Sequence, residues 1–187
     1  MKKVILLSGS PRADGNTKQA LEIVAGELQA ENIETEIVQL GGRVFSGCKA
    51  CGGCGRNKNG KCVVSDGMNE IMEKVFKADG LVIGSPTYFA NVTAEVKAFI
   101  DRCGYVNRAN GGLLRDKPGA AVAIARRAGA DFVYAAINFF FGIAEMPIAT
   151  STYWNLSLAR LPGDVHNDEE GVATFKTLGK NLAKMIK

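Results

Sequence analysis

Val4 to Leu28 reads VILLSGSPRADGNTKQALEIVAGEL. Its first four residues are continuously apolar, as in a strand buried on both faces. From Asn16 to Glu31 the residues Ala20, Leu21, Val24, Ala25 and Leu28 recur at the spacing of one helix face. A short polar loop, Ser8 to Gly15, joins strand to helix. In a doubly wound α/β sheet such a loop lies at the carboxyl edge, where these folds bind ligands. Its chemistry suits a phosphate. Ser8, Ser10 and Thr17 offer hydroxyls, Asn16 an amide that can also cap the helix, and Arg12 a fork of donors for a dianion. Gly9 and Gly15 let backbone N–H groups approach closely, and the helix N-terminus adds partial positive charge. The loop has neither the Gly-Lys-Ser/Thr of a Walker loop nor the G-x-G-x-x-G dinucleotide fingerprint, which favours a mononucleotide such as FMN.

The alternation continues beyond this unit. Strands are expected at Thr35–Leu40, Leu81–Ser85, Gly119–Ala125 and Pro147–Thr152, and helices at Asp66–Ala78, Thr93–Cys103, Phe132–Gly142 and Glu169–Lys187. Strands alternating with helices imply right-handed crossovers and a parallel sheet covered on both faces. No repeat, linker or low-complexity tract interrupts the chain. One doubly wound domain over residues 1–187 is expected, with residues 46–64 as a cysteine-rich loop insertion.

A composition of 47% apolar and 22% charged residues supports a sizeable core. The net charge of +4 is spread without a basic block, which argues against a nucleic-acid partner. The apolar run at Val4–Leu7 is shorter than the roughly 7–15 residues of a secretory core segment. No stretch approaches the ~18 apolar residues of a membrane span. A cytoplasmic protein with no membrane partner is the expectation, and in a reducing compartment clustered cysteines point to metal or redox chemistry.

The third expected strand ends in GSPTYFANVTAEVKAFIDR, Gly84 to Arg102. Pro86 breaks the strand, and Thr87 to Val92 follow at the same sheet edge as the first loop. A flat heterocycle needs a rigid apolar platform and a few backbone donors, which this loop can supply. Tyr88 and Phe89 read equally well as ordinary core aromatics.

Four of the five cysteines lie in SGCKACGGCGRNKNGKC, Ser46 to Cys62. Their spacing is C-x2-C-x2-C-x7-C, through Cys48, Cys51, Cys54 and Cys62. Such a run can wrap one compact four-thiolate cluster. Gly52 and Gly53 remove bulk beside it, and Lys49, Arg56, Lys58 and Lys61 offset the charge of the thiolates. Structural zinc prefers two knuckles separated by a longer loop, so the triple run fits zinc poorly. Thiols that merely hold the loop are the third possibility.

SGSPRADGNT, GSPTYFANVTAEVKAFIDR, RRAG (Arg126–Gly129), YWN (Tyr153–Asn155) and DEEG (Asp168–Gly171) together resemble the flavodoxin-like NAD(P)H-dependent FMN reductases. The cysteine segment is similar to the cluster motif of their relatives, the iron–sulfur flavoproteins. The resemblance implies a flavodoxin-like five-stranded parallel sheet of order 2-1-3-4-5. It implies an FMN phosphate on Ser10, Arg12, Asn16 and Thr17 and a flavin ring on Pro86, Thr87, Tyr88, Phe89 and Asn91. A third loop, Arg126 to Gly129, would close the ring's other edge. The four cysteines would hold a 4Fe-4S cluster relaying single electrons from a ferredoxin-like donor to FMN and on to a small acceptor. Without a cluster, the chain would be an NAD(P)H-dependent FMN, quinone or nitro/azo reductase. A zinc-binding interaction module is the remaining alternative, and it leaves the phosphate loop without a role. The resemblance also implies a homodimer or homotetramer with FMN near the subunit interface.

The other candidates read more plainly. His166 is the only histidine and falls in a loop. Cys103 sits alone on an apolar helix, as a small core residue does. DEEG reads as a helix start. Trp154 suits burial as well as a flavin or subunit contact. The run Phe139–Phe141 with Ile143 is more apolar than one helix face requires, which suggests a subunit surface or a pocket wall.

Overall fold

The computed structural model describes residues 1–187. Strands β1 (Lys3–Ser8), β2 (Glu34–Gln39), β3 (Gly80–Pro86), β4 (Gly119–Ala125) and β5 (Leu156–Leu158) form one sheet of order β2-β1-β3-β4-β5. Every neighbouring pair is parallel. The order reverses between β1 and β3, so the loops after these two strands open onto one crevice at the carboxyl edge.

Strand alternation divides the core in two. Ile5, Leu7, Leu81, Ile83, Ala121 and Ala123 face α3 (Met68–Lys77), α4 (Ala94–Ala109) and α5 (Ala130–Ile143). Val4, Leu6, Val82, Val122 and Ile124 face α1 (Asn16–Ala30) and α6 (Glu169–Ile186). The helix stripe expected on α1 is the buried one. That helix stops where Asn32 turns left-handed (φ 61°), letting Ile33 N–H reach back to Leu28 O at 3.1 Å. On α6, Asp168 accepts from Gly171 N–H at 3.0 Å and caps the helix, as DEEG suggested.

The fifth strand lies elsewhere than expected. Within Pro147–Thr152 only Ile148 bridges β4, opposite Gly119. The chain then leaves the sheet over Ser151–Asn155 and rejoins it as β5, with Leu156 opposite Ala123. Pro147 has no N–H for a ladder, and Ser151 Oγ lies within hydrogen-bond distance of both Tyr153 O (2.8 Å) and the Asn155 side-chain amide (2.6 Å), stabilising the excursion. Leu-Ser-Leu is too short to read as a strand from sequence. Its buried serine faces Asp168, to which Ser157 Oγ donates at 2.7 Å.

Candidate functional site

The loops after β1 and β3 meet through close backbone contact. Gly9 N–H donates to Gly84 O at 2.8 Å, and Thr93 Oγ1 donates to Gly9 O at 3.0 Å. A Cβ on Gly9 would stand 2.3 Å from Val96 Cγ2, so only glycine lets the first loop lie against α4. Beside this junction is a cleft of about 570 Å³. Of the eleven expected flavin-binding residues, Ser10, Arg12, Asn16, Thr17, Pro86, Thr87, Tyr88 and Arg126 line it.

One end of the cleft suits a phosphate. The N–H groups of Asn16, Thr17 and Lys18 open α1 without a backbone acceptor, and Gly15, not Asn16, is the N-cap. The Asn16 side chain is committed elsewhere. Its Nδ2 donates to Leu161 O (2.8 Å), while its Oδ1 accepts from Gly163 N–H (3.0 Å) and Val165 N–H (3.2 Å). Asn16 therefore ties the loop after β5 against the helix start and offers a phosphate its backbone N–H. That loop, Ala159 to Pro162, forms a wall that the motifs did not indicate and adds Arg160. No ion pair engages Arg12, Arg126 or Arg160, so three free guanidinium groups border one cleft. Thr87 Oγ1 is buried there with no partner, which marks a place for a ligand acceptor or donor.

Phe89, Asn91 and Gly129 stand outside the cleft lining. Tyr88 and Asn91 exchange backbone hydrogen bonds across a tight turn whose tip residues Phe89 (φ 49°) and Ala90 (φ 57°) are both left-handed. Tyr88 is half exposed and Phe89 fully so, which rules out their reading as core aromatics. Asn91 braces the turn, its Oδ1 accepting from Val92 N–H. Gly129 packs the third loop onto the second, since a Cβ there would lie 3.1 Å from Ala90 Cα. Trp154 is half exposed against Tyr153, with ring centroids 5.2 Å apart, and so is no core residue. His166 is exposed on a short 3-10 helix, Asp164–Asn167. Cys103 is fully buried, and burial pushes its thiol pKa up, which removes it from thiol chemistry.

The insertion packs against the middle of α4. All four of its cysteines line one cavity of about 140 Å³, walled by Val63, Val64, Tyr105 and Val106. Cys48 and Cys51 are exposed, Cys54 and Cys62 half-buried. The loop is braced at many points. Arg56 Nη1 donates to Cys51 O (2.8 Å), and Gly60 N–H donates to Asn110 Oδ1 (2.9 Å). Asn69 grips Cys62 from both sides, accepting its N–H at 2.8 Å and donating to its carbonyl at 2.9 Å. Gly52 is left-handed (φ 69°) where the chain enters the short helix α2 (Gly53–Asn57). Gly53 makes room for Val63, whose Cγ1 would lie 2.5 Å from a Cβ there. Both glycines thus serve the backbone rather than clearing space for a metal.

The neck of the insertion is stitched by an ion pair, between a buried arginine and a partly buried aspartate, that the sequence did not reveal. Arg102 Nη1 reaches Asp66 Oδ2 at 2.6 Å and Ser46 O at 3.1 Å, and Nη2 donates to Val64 O at 3.0 Å. Asp66 in turn accepts from Ser46 N–H at 2.9 Å. Burial works to raise the Asp66 pKa, but its bonds to Arg102, Ser46 and Met68 prevail and hold it below the usual carboxylate range.

The donor sets fit two groups. A cleft with an open helix N-terminus, free arginines and an orphaned hydroxyl fits a phosphorylated heterocycle such as FMN. Four thiols around one cavity fit a multi-iron cluster, which takes one sulfur at each corner. No three His, Cys, Asp or Glu side chains are grouped so as to hold a metal ion in this structure.

Residues 2–160 match the family described as NADPH-dependent FMN reductase. The chain is 36% identical to an iron–sulfur flavoprotein of Methanocaldococcus jannaschii, over 99% of this chain and 97% of the relative. It is 32% identical to an iron–sulfur flavoprotein of Archaeoglobus fulgidus, over 98% of this chain and 94% of the relative. Among solved structures, a flavodoxin, WrbA-like protein from Agrobacterium tumefaciens superposes with a TM-score of 0.70 at 13% identity, over 100% of this chain and 98% of that one, a likeness of fold.

Proposed function

The chain belongs to the NADPH-dependent FMN reductase family, among the iron–sulfur flavoproteins, and on that footing we propose that it is an FMN-dependent oxidoreductase whose cysteine insertion holds a 4Fe-4S cluster. Bound FMN supplies one- and two-electron chemistry, and a 4Fe-4S cluster supplies one-electron transfer. The protein's residues bind, orient and shield. Ser10, Arg12, Thr17 and the free N–H groups at Asn16 and Thr17 receive the phosphate. Pro86, Thr87 and Tyr88 bear the ring, with Phe89 and Asn91 shaping the turn beyond it. Arg126 closes the opposite edge, and Gly129 seats that loop. Cys48, Cys51, Cys54 and Cys62 ligate the cluster. Electrons enter from a ferredoxin-like protein or from NAD(P)H, in the cytoplasm, and leave to a small-molecule acceptor.

The observation that carries this reading is the convergence of all four thiols on one cavity. A second reading has one observation in its favour: none of the cysteines lines the cleft, so the flavin site is complete without them. A cluster-free NAD(P)H-dependent FMN, quinone or nitro/azo reductase would result. Assembly as a homodimer or homotetramer is supported by an apolar groove between α4 and α5, where Tyr105, Phe139 and Ile143 are exposed.

The test is iron, acid-labile sulfide and flavin content per chain in protein purified without oxygen. About four iron, four sulfide and one FMN support the cluster. FMN without iron or sulfide leaves the plain reductase. Protein that binds neither FMN nor iron refutes both.

A further inference from the structure

Arg102 is the largest fully buried side chain of the protein and lines the four-thiol cavity, 1% exposed. Its two terminal nitrogens are engaged by Asp66, Ser46 and Val64. Its Nε–H has no partner at all. A buried guanidinium donor left without an acceptor bears its full desolvation cost. An ion pair with Asp66 alone would not demand this: the neck of the loop is closed by the other nitrogens. The cavity that Arg102 lines carries the four cysteine sulfurs. Val64, which accepts from Arg102 Nη2 at 3.0 Å, donates its own N–H to the Cys62 sulfur at 3.5 Å, so Arg102 and Cys62 meet at one residue of the cavity wall.

Resting on the cluster reading above, we propose that Arg102 is a positioning and tuning residue for the cluster: its free Nε–H donates to sulfur at the Cys62 corner. Hydrogen bonds and positive charge at cluster sulfurs stabilise the more negative, reduced form. Arg102 therefore raises the cluster's reduction potential and eases electron entry from the donor. The same side chain closes the neck of the insertion, so ligand position and potential share one guanidinium.

The test compares Arg102→Gln, Arg102→Lys and Asp66→Asn by redox titration of the cluster, followed by electron paramagnetic resonance, with iron, sulfide and FMN content and melting temperature alongside. Arg102→Gln removes charge and donor. Arg102→Lys keeps the charge and can still meet Asp66, but has no Nε–H. Asp66→Asn breaks the pair while leaving Nε–H in place. The expected result is a lower potential in both arginine variants, with at least a tenfold shift in oxidised-to-reduced ratio for Arg102→Gln (about 59 mV for one electron) and a smaller one for Arg102→Lys. Asp66→Asn should lower the melting temperature without lowering the potential, because it removes a negative charge. FMN content should stay unchanged throughout, since Arg102 is absent from the flavin cleft.

Iron-replete arginine variants whose ratio stays within twofold of the parent would overturn the proposal. So would an Asp66→Asn potential as low as that of Arg102→Gln, which would make the effect one of packing. If the arginine variants refuse iron while Asp66→Asn accepts it, the proposal stands; if all three refuse it, the role is structural and the proposal falls. An iron-free parent overturns the cluster reading itself, a result distinct from an unmoved potential.

Discussion

Replacing Arg12 with alanine should weaken FMN while sparing riboflavin. Arg12 borders the cleft beside the open N-terminus of α1, and no carboxylate neutralises it. A charge-assisted hydrogen bond to a dianion contributes about 1.5–3 kcal/mol. Arg12 is largely exposed, so solvent screening places it at the lower end, at about 1.5–2 kcal/mol. At 1.4 kcal/mol per decade, that is a roughly 10–30-fold rise in Kd. The assay is fluorescence titration of flavin-free protein with FMN and, separately, with riboflavin, which has the ring and no phosphate. For Arg12→Ala, riboflavin affinity should change by less than about twofold, and the difference between the two ligands is a direct coupling energy. Raising the salt concentration should shrink the FMN difference and leave riboflavin unaffected. Equal losses for both ligands would refute the phosphate assignment, because the arginine would then support the ring or the fold. An FMN affinity altered by less than threefold would show that the α1 N-terminus binds the phosphate unaided or that it binds elsewhere.

Gly9→Ala places a Cβ 2.3 Å from Val96 Cγ2, and overpacking of about 1–3 kcal/mol should lower the melting temperature by roughly 3–10 °C and loosen FMN as well. Asp168 caps α6 and binds Ser157 and Leu158, and these bonds hold its pKa low against the burial that would raise it. Its contribution is therefore full above the unfolded carboxylate value near about 3.9 and fades as pH falls through the lower folded value. Asp168→Ala should cost about 1–2 kcal/mol in denaturant unfolding at pH 7, and the gap from the parent should narrow toward pH 3; a gap independent of pH would contradict it. Phe139→Glu and Ile143→Glu put charges on the exposed groove between α4 and α5, and light scattering should then report smaller assemblies with FMN retained. Unchanged mass would remove that groove from the interface.

The parts of this protein that could be read from its sequence are those whose physics is local. Val4–Leu7 is buried because every residue in it is apolar, and α1 is helical because its apolar residues recur on one face. The loops after β1 and β3 are short, and residues of both line one cleft. What stayed hidden depends on contacts distant in sequence. The strand Leu156–Leu158 exists because Asp168 holds Ser157 and because β4 presents a free edge. Asn16 looked like a phosphate ligand and became a clamp only because Leu161, Gly163 and Val165, about 145 residues away, return to it.

Arg102 is the sharpest case. In FIDRCGYVNR it resembles any solvated helix charge, and nothing within four residues reports that Asp66 and the insertion will bury it. The helix that carries it connects the two sites. α4 begins at Ala94, beside the loop facing the cleft, and reaches Arg102 after eight residues, about 12 Å of helix. Gly9 and Thr93 pin its start to the phosphate loop, and Arg102 pins its middle to the neck of the cysteine loop. Both anchors act on one helix. A helix held this way fixes the separation of cleft and cavity.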